Sequence, residues 1–331
     1  MMNPIKMRYS QDNKILLFAR DYEHNIESLI AQICWLGGMP IVVTLNDLRN
    51  SFATTIIKDG NDTTLIGSVS GKRKDFNIRE IRSVWSRGFP VEEMPEIATA
   101  QNLTYHQWKY YIGYIITQLS GAVWMNSLDA IASTNNRLTQ LKVATLCGFK
   151  VPDSLVTNRR RDVEEFIAEY GEIIVKQISS GHPRECADRL LFARKIDCAN
   201  LAIYSSNIAS SPSLYQSLVD KEIELRVYFV DGEVYCAGMR ISGGDDVDSR
   251  SLISKKHYFK FSLDETTISK IRQLTSAMNL RYAAIDMAID RRGDLVFFEV
   301  NHSGQWGYVE RETGIPVTQS IASKVVAYAK A

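Results

Sequence analysis

The sequence predicts an α/β protein of two or three domains, and three observations carry that expectation. A βαβ-like unit opens the chain. Two long apolar runs near its end flank a turn sequence. A length of 331 residues, 45% hydrophobic and 23% charged, is enough to fill more than one core.

In order, Lys14 to Ala19 reads as a buried strand, Asn25 to Leu36 has helical apolar spacing ending at Gly37-Gly38, and Pro40 to Thr44 is a second strand. No glycine-rich loop follows the first strand, which argues against dinucleotide binding there. Thr54 to Val69 alternates around Gly60-Asn61-Asp62 and predicts an antiparallel hairpin. Within Ile81 to Pro90, Trp85 reads as core packing. Glu96 to Leu119 predicts a long helix whose aromatic stripe is a packing surface compatible with a homodimer interface. Ile173 to Lys176 is an apolar strand closing on a cation, and the small-residue loop after it, Ser179-Ser180-Gly181-His182, offers backbone N–H groups to phosphate. Alternation along Glu224-Leu225-Arg226-Val227-Tyr228 puts Glu224, Arg226 and Tyr228 on one face. Val234 to Ala237 is the hairpin partner of that strand, leading to Gly238-Met239-Arg240 and a loop at Ser242 to Asp246. Thr266 to Met278 and Gln319 to Ala329 read as helices.

The stretch with most chemistry is Arg281 to Glu310. Runs Ala283 to Ile289 and Leu295 to Val300 flank Asp290-Arg291-Arg292-Gly293-Asp294. A tip centred between Arg292 and Gly293 pairs Asp290 with Leu295, Ala288 with Phe297 and Asp286 with Glu299, while Asn301 projects to the same side as Glu299. Like charges facing each other across a ladder are destabilising, and burial without a partner costs more. A cation removes both costs. Asp286, Glu299 and Asn301 are hard oxygen donors that suit Mg²⁺, an ion that fills its remaining positions with water and substrate phosphates. The set therefore predicts a nucleotide as well as a metal. The alternative is a solvated hairpin with one wet face; apolar residues on both sides of the acids favour a covered sheet instead.

Composition sets outer limits. The formal net charge is +1, so no global field points to nucleic acid or membrane as partner. Five cysteines without metal-type spacing read as reduced thiols, no apolar run reaches membrane-spanning length, and the opening Met-Met-Asn-Pro-Ile-Lys lacks a signal-peptide core; a cytoplasmic protein is the expectation.

Glu299-Val300-Asn301, with Asp286 one hairpin earlier, resembles the metal-binding signature of ATP-grasp enzymes. Gly304-Gln305-Trp306-Gly307-Tyr308-Val309-Glu310 resembles the graspetide, or microviridin-type, ligases that cross-link ribosomally made precursor peptides. Several further segments are similar to motifs of that branch: Trp85-Ser86-Arg87-Gly88-Phe89-Pro90, Trp124-Met125-Asn126, Asn136-Arg137-Leu138-Thr139-Gln140-Leu141, Gly148 to Pro152, the strand Leu155 to Asn158 and Glu224-Leu225-Arg226. The resemblance implies an ATP-grasp fold, two α+β subdomains clamping ATP, behind an N-terminal α/β domain: residues 1–125, 126–215 and 216–331. It implies that Arg137, standing where a lysine is usual, meets the α-phosphate, and that Lys176 reaches the α- and β-phosphates. Adenine would lie on the hinge Gln216-Ser217-Leu218-Val219, with Glu224 on the ribose and Mg²⁺ on Asp286, Glu299 and Asn301. Arg226, Arg240 and Arg250 would hold charge developing on the transferred phosphoryl group. The implied reaction activates Asp or Glu side chains of a precursor peptide as acyl phosphates and condenses them with Thr or Ser hydroxyls or Lys amines. Two other readings stand beside it: ligation of a free amino acid or small molecule, and a nucleotide-binding module without catalysis.

Overall fold

The computed structural model describes residues 13–20, 25–44, 54–58, 62–69, 72–87, 103–179, 193–242 and 255–331. The chain divides into two compact units. One comprises residues 1–127, 305–307 and 316–331, the other 128–304 and 308–315.

In the first unit, β1 (Lys14–Phe18), α1 (Ile26–Trp35) and β2 (Met39–Val43) form the expected βαβ start. A small antiparallel sheet follows: β3 (Thr54–Lys58) and β4 (Asp62–Val69) make the expected hairpin, and β5 (Lys72–Asn77) adds a third strand. With β6 (Ile81–Ser86) and β7 (Val123–Trp124), the opening strands build a parallel sheet ordered β2-β1-β6-β7. Parallel sheets need both faces covered, and every residue of β1 after Lys14 is buried. Helix α2 (Leu103–Gln118) contributes Ile112 and Ile115 to a cluster with Leu16, Phe18, Ile41, Val43 and Val84. The first turns expected for α2, at 96–102, lie outside the described residues.

The helix Val317–Lys330 packs with α1, β1 and β6. Sequence order alone assigns it to the last domain. Its buried positions, among them Ile321, Val325 and Val326, instead complete this parallel sheet. The fit is close: a Cβ on Gly38 would stand 2.8–2.9 Å from Ile33, Ile15 and Val326. Trp85 is buried, as expected, with its ring centroid 5.3 Å from that of Trp306, and the Arg87 guanidinium lies 4.7 Å from the Trp306 ring.

The second unit opens with α3 (Leu128–Thr134) and α4 (Arg137–Leu146). Strands β8 (Ser154–Thr157), β9 (Ile173–Lys176), β10 (Arg194–Ile196) and β11 (Ser213–Ser217) form an antiparallel sheet ordered β10-β9-β11-β8, with helices α5 (Arg160–Tyr170) and α6 (Ser205–Ser210) interleaved in sequence. Residues 218–220 then lead into a five-stranded antiparallel sheet, β14-β13-β12-β15-β16. Its members are β12 (Lys221–Val230), β13 (Glu233–Ser242), β14 (Lys255–Lys260), β15 (Tyr282–Asp290) and β16 (Leu295–Asn301), with α7 (Glu265–Ala277) between β14 and β15. One face of this larger sheet, carrying Leu225, Val227, Ile285, Met287, Phe297 and Val300, packs with Leu141 and Ala144 of α4 and with Ile271 and Leu274 of α7. The other face is left for polar groups.

The β15–β16 hairpin departs from the expected register at its tip. Ile289 pairs with Leu295, Ala288 with Val296 and Met287 with Phe297, so the expected pairs Asp290–Leu295 and Ala288–Phe297 do not form. The reason is the turn. Asp290 to Asp294 is a five-residue loop with Gly293 at φ +86°, Asp290 Oδ1 accepts from the N–H groups of Arg292 and Asp294, and odd loop length shifts the parity by one. A bulge at Phe298 shifts it back. Beyond the bulge Asp286 pairs with Glu299 and Ala284 with Asn301, as the sequence predicts.

Candidate nucleotide and metal site

Strand alternation places the polar face of the larger sheet. Glu224, Arg226 and Tyr228 on β12 stand opposite Ala288, Asp286 and Ala284 on β15, and Asp286 in turn faces Glu299. The structure thus brings Arg226, Glu224, Asp286, Glu299 and Asn301 to one face. Each metal-type carboxylate holds an arginine. Arg226 Nη1 donates to Asp286 Oδ1, while Arg137 closes on Glu299 Oε2 with Nε at 2.9 Å and Nη2 at 2.8 Å. Burial and the nearby Glu299 push the Asp286 carboxyl up, against the pull of Arg226. Burial opposes the charge on Arg226, but Asp286 and the phenols of Tyr308 and Tyr228 hold it well above the usual guanidinium value. Arg226 Nε is buried without a hydrogen-bond partner among the described residues, a donor available to an anion. Asn301 Oδ1 accepts from Ser303 N–H at 2.9 Å, which fixes the side chain in an Asx turn.

The Asn-Arg-x-x-Gln-Leu segment acquires a physical meaning here. Asn136 caps α4, its Oδ1 accepting from the N–H groups of Leu138 and Thr139. That cap positions Arg137 at the first helical residue, where its Nη1 also donates to the carbonyls of Gln177, at 2.9 Å, and Ser179. One turn later Gln140 is fully buried. Its Nε2 donates to the Val300 carbonyl at 2.9 Å and its Oε1 accepts from Val300 N–H at 2.8 Å, so a side-chain amide pairs with the backbone between Glu299 and Asn301. Leu141 completes the motif in the core.

Lys176, at the end of β9, comes within electrostatic range of Glu299, Arg137, Lys221 and Asp286. Burial lowers its pKa to about 8, and Arg137 and Lys221 add to the effect. Its Nζ stands 5.4 Å from the Phe298 ring, and Lys221 Nζ stands 5.8 Å from the same ring while pairing with Glu224. Sequence reasoning missed Phe298, Lys221 and Gln140. The signal for Phe298 is the odd loop length: keeping Asp286 opposite Glu299 then requires an extra residue, and the bulge turns Phe298 to the same face as Glu299.

The remaining expected site residues lie off this sheet face or outside the described residues. The register puts Arg240 in line with Gly238 and Leu225, on the face opposite Arg226, where its guanidinium lies 5.4 Å from the Phe259 ring. Gln216 is buried, with Nε2 donating to Ser154 Oγ at 3.0 Å, and Ser217 N–H donates to the Asp153 carbonyl at 2.9 Å. Leu218 and Val219 lie beyond the strand end, in the connection to β12. Arg250, Ser180, Gly181 and His182 lie outside the described residues. Among the described residues no three His, Cys, Asp or Glu side chains cluster as metal ligands; the set here is two carboxylates and an amide.

Residues 134–325 match the RimK-like ATP-grasp domain, more than half of the chain, and the protein belongs to that family. Solved structures agree on the fold. The macrocyclase MdnC from Microcystis aeruginosa MRC, bound with precursor peptide MdnA, superposes with a TM-score of 0.80 at 20% identity, covering 95% of this chain and 99% of that one. A RiPP-associated ATP-grasp ligase from Chryseobacterium gregarium, in complex with ADP and a leader and core peptide, gives 0.72 at 20% identity over 96% and 97%. The ATP-grasp ligase PsnB, complexed with a phosphomimetic variant of its minimal precursor, Mg and ADP, gives 0.74 at 18% identity over 95% and 98%. Comparison with curated proteins finds no matching sequence.

Proposed function

We propose that the protein is an ATP-dependent ligase that joins Asp or Glu side chains of a ribosomally made precursor peptide to Thr or Ser hydroxyls or Lys amines. The observation that carries this reading is the pairing of Asp286 with Glu299 on the sheet face that also holds Arg226 and Asn301, with Lys176 within electrostatic range. Support for a peptide as substrate comes from the fold shared with ligases crystallised with precursor peptides.

Asp286, Glu299 and Asn301 would hold Mg²⁺; their oxygens are the donor class that ion prefers. Bound there, it would draw negative charge off the phosphates. Lys176 supplies the charge for the α- and β-phosphates. Phe298 offers a ring face beside it, and the backbone at Leu218 and Val219 meets the base, because Ser217 N–H is already engaged. Glu224, held by Lys221, is placed for the ribose hydroxyls.

Arg226 is the residue assigned to the reacting phosphoryl group. Its buried, unpartnered Nε can donate to an oxygen of the transferred group as charge moves onto it. A substrate carboxylate oxygen bonds to the γ-phosphorus as ADP leaves. A hydroxyl or amine then bonds to the acyl carbon, inorganic phosphate leaves, and the attacking group loses its proton. This route requires no nucleophile from the chain. Four free cysteines among the described residues support a reducing, cytoplasmic setting, and exposed Leu103 and Tyr110 on α2 support a homodimer.

The test is mass spectrometry of the cognate precursor incubated with protein, ATP and Mg²⁺. Each link should make the peptide lighter by one water. Unchanged peptide mass alongside ATP-dependent coupling of a free amino acid would replace the peptide reading with a small-molecule ligase.

A further inference from the structure

The acids that would hold the metal are not waiting empty-handed, and the way Arg137 holds Glu299 has a consequence for the order in which ligands enter. Two nitrogens of one guanidinium converge on a single carboxylate oxygen, and the third nitrogen is bound to the Gln177 and Ser179 carbonyls. This is a fixed arrangement. The Arg137 side chain is only 11% exposed, its helix is capped one residue earlier by Asn136, and its own N–H donates to the Ile178 carbonyl at 2.9 Å. A forked, planar donor set can meet a carboxylate and two carbonyls together, which a lysine ammonium cannot do with the same geometry.

Charge points the same way. Among the described residues around the site, Arg137, Lys176, Lys221 and Arg226 face Glu224, Asp286 and Glu299, four cations against three anions, an excess of one positive charge. A bare divalent ion would enter a cleft that already carries positive charge and would have to compete with a guanidinium for its carboxylate. A metal–nucleotide complex is anionic. It is attracted by the same surplus, and its phosphates give Arg137 an oxygen partner in place of Glu299.

We propose that Arg137 is a resident cation that closes Glu299 to free divalent ions, so that metal binds only together with nucleotide phosphate, which takes the guanidinium over. The inference rests on the metal reading of Asp286, Glu299 and Asn301, and its test keeps the two apart.

Binding of Mn²⁺ to the full chain is measured by loss of the free-ion electron paramagnetic resonance signal without ADP, and with ADP by the water-proton relaxation enhancement over protein-free Mn²⁺–ADP, for the wild type and for Arg137→Gln, Arg137→Lys and Lys221→Gln. Lys221→Gln removes the same charge from the same cleft but from Glu224, so it sets the purely Coulombic background. Without nucleotide, Arg137→Gln should bind Mn²⁺ at least about tenfold more tightly than the wild type and clearly more tightly than Lys221→Gln, with Arg137→Lys between. With ADP present the wild type should bind Mn²⁺ and its disadvantage should disappear. Equal nucleotide-free affinities for wild type and both Arg137 variants, or a gain no larger than that of Lys221→Gln, would overturn the proposal and leave the metal site standing. Failure of every protein to bind Mn²⁺ even with ADP would overturn the metal reading itself. Because Arg137→Lys keeps the charge, it remains informative if Arg137→Gln does not fold.

Discussion

Gly304 shows how a single missing carbon shapes the site. A Cβ there would stand 2.4 Å from the Ala284 Cβ and 2.7 Å from Arg226 Nη2, the guanidinium that pairs with Asp286. Gly304→Ala should therefore press on β15 at Ala284 and displace Arg226, lowering turnover by at least about tenfold, on the scale of losing one charge-stabilising donor. Steady-state rates beside a thermal melt check this; normal turnover would show that Arg226 has room to spare. Lys176 makes a second prediction at the same scale. Its pKa near 8 lies below the ordinary lysine value of 10.5, so between those limits the unfolded chain holds a proton that the folded chain has lost, and stability rises with pH across that window. Below pH 8 the cost of burying the ammonium stands in full. Nucleotide-free Lys176→Met should thus be more stable than the wild type at pH 7, on the order of 2 kcal/mol, with the gap narrowing toward pH 10. Phosphate oxygens would draw the proton back. ADP binding at pH 8 should take up on the order of half a proton, read from calorimetry in buffers of different ionisation enthalpy.

Among the elements, β16 bears the site and is itself held by a side chain. Gln140→Leu would strand the N–H and C=O of Val300 in the core, a cost of about 2 to 4 kcal/mol in denaturant unfolding, and should weaken Mn²⁺–ADP binding as Glu299 and Asn301 lose their fixed spacing. Unfolding at the wild-type midpoint would mean the backbone finds other partners. This element also shows what the sequence disclosed. The apolar runs, the turn residues and the facing of Asp286 by Glu299 were legible because they are local: period two, turn chemistry and like-charge cost all act within a few residues. The tip register was not, since a five-residue loop and a bulge compensate each other. Nor were the contacts of Arg137 with Glu299 and Gln140 with Val300, which join residues 162 and 160 positions apart and leave no trace in periodicity. The face that Arg240 occupies was not legible either, because it depends on counting through the hairpin from β12.

At the scale of the whole molecule, connectivity separates the two units. The first begins with β1 but is completed by Val317–Lys330, whose Ile321, Val325 and Val326 are buried in it. Deleting residues 317–331 should uncover Leu29 and Ile33 of α1 and raise amide hydrogen exchange throughout β1 and β6, while β12, β15 and β16 keep their protection. Unchanged exchange in β1 would show that the parallel sheet is stable without this helix. The order of synthesis then sets the order of maturation. Once β16 has been made, all five strands of the sheet bearing Asp286 and Glu299 are present, whereas the sheet begun by the earliest segments stays half-dressed, in need of shelter from aggregation, until residues 317–330 follow to cover it.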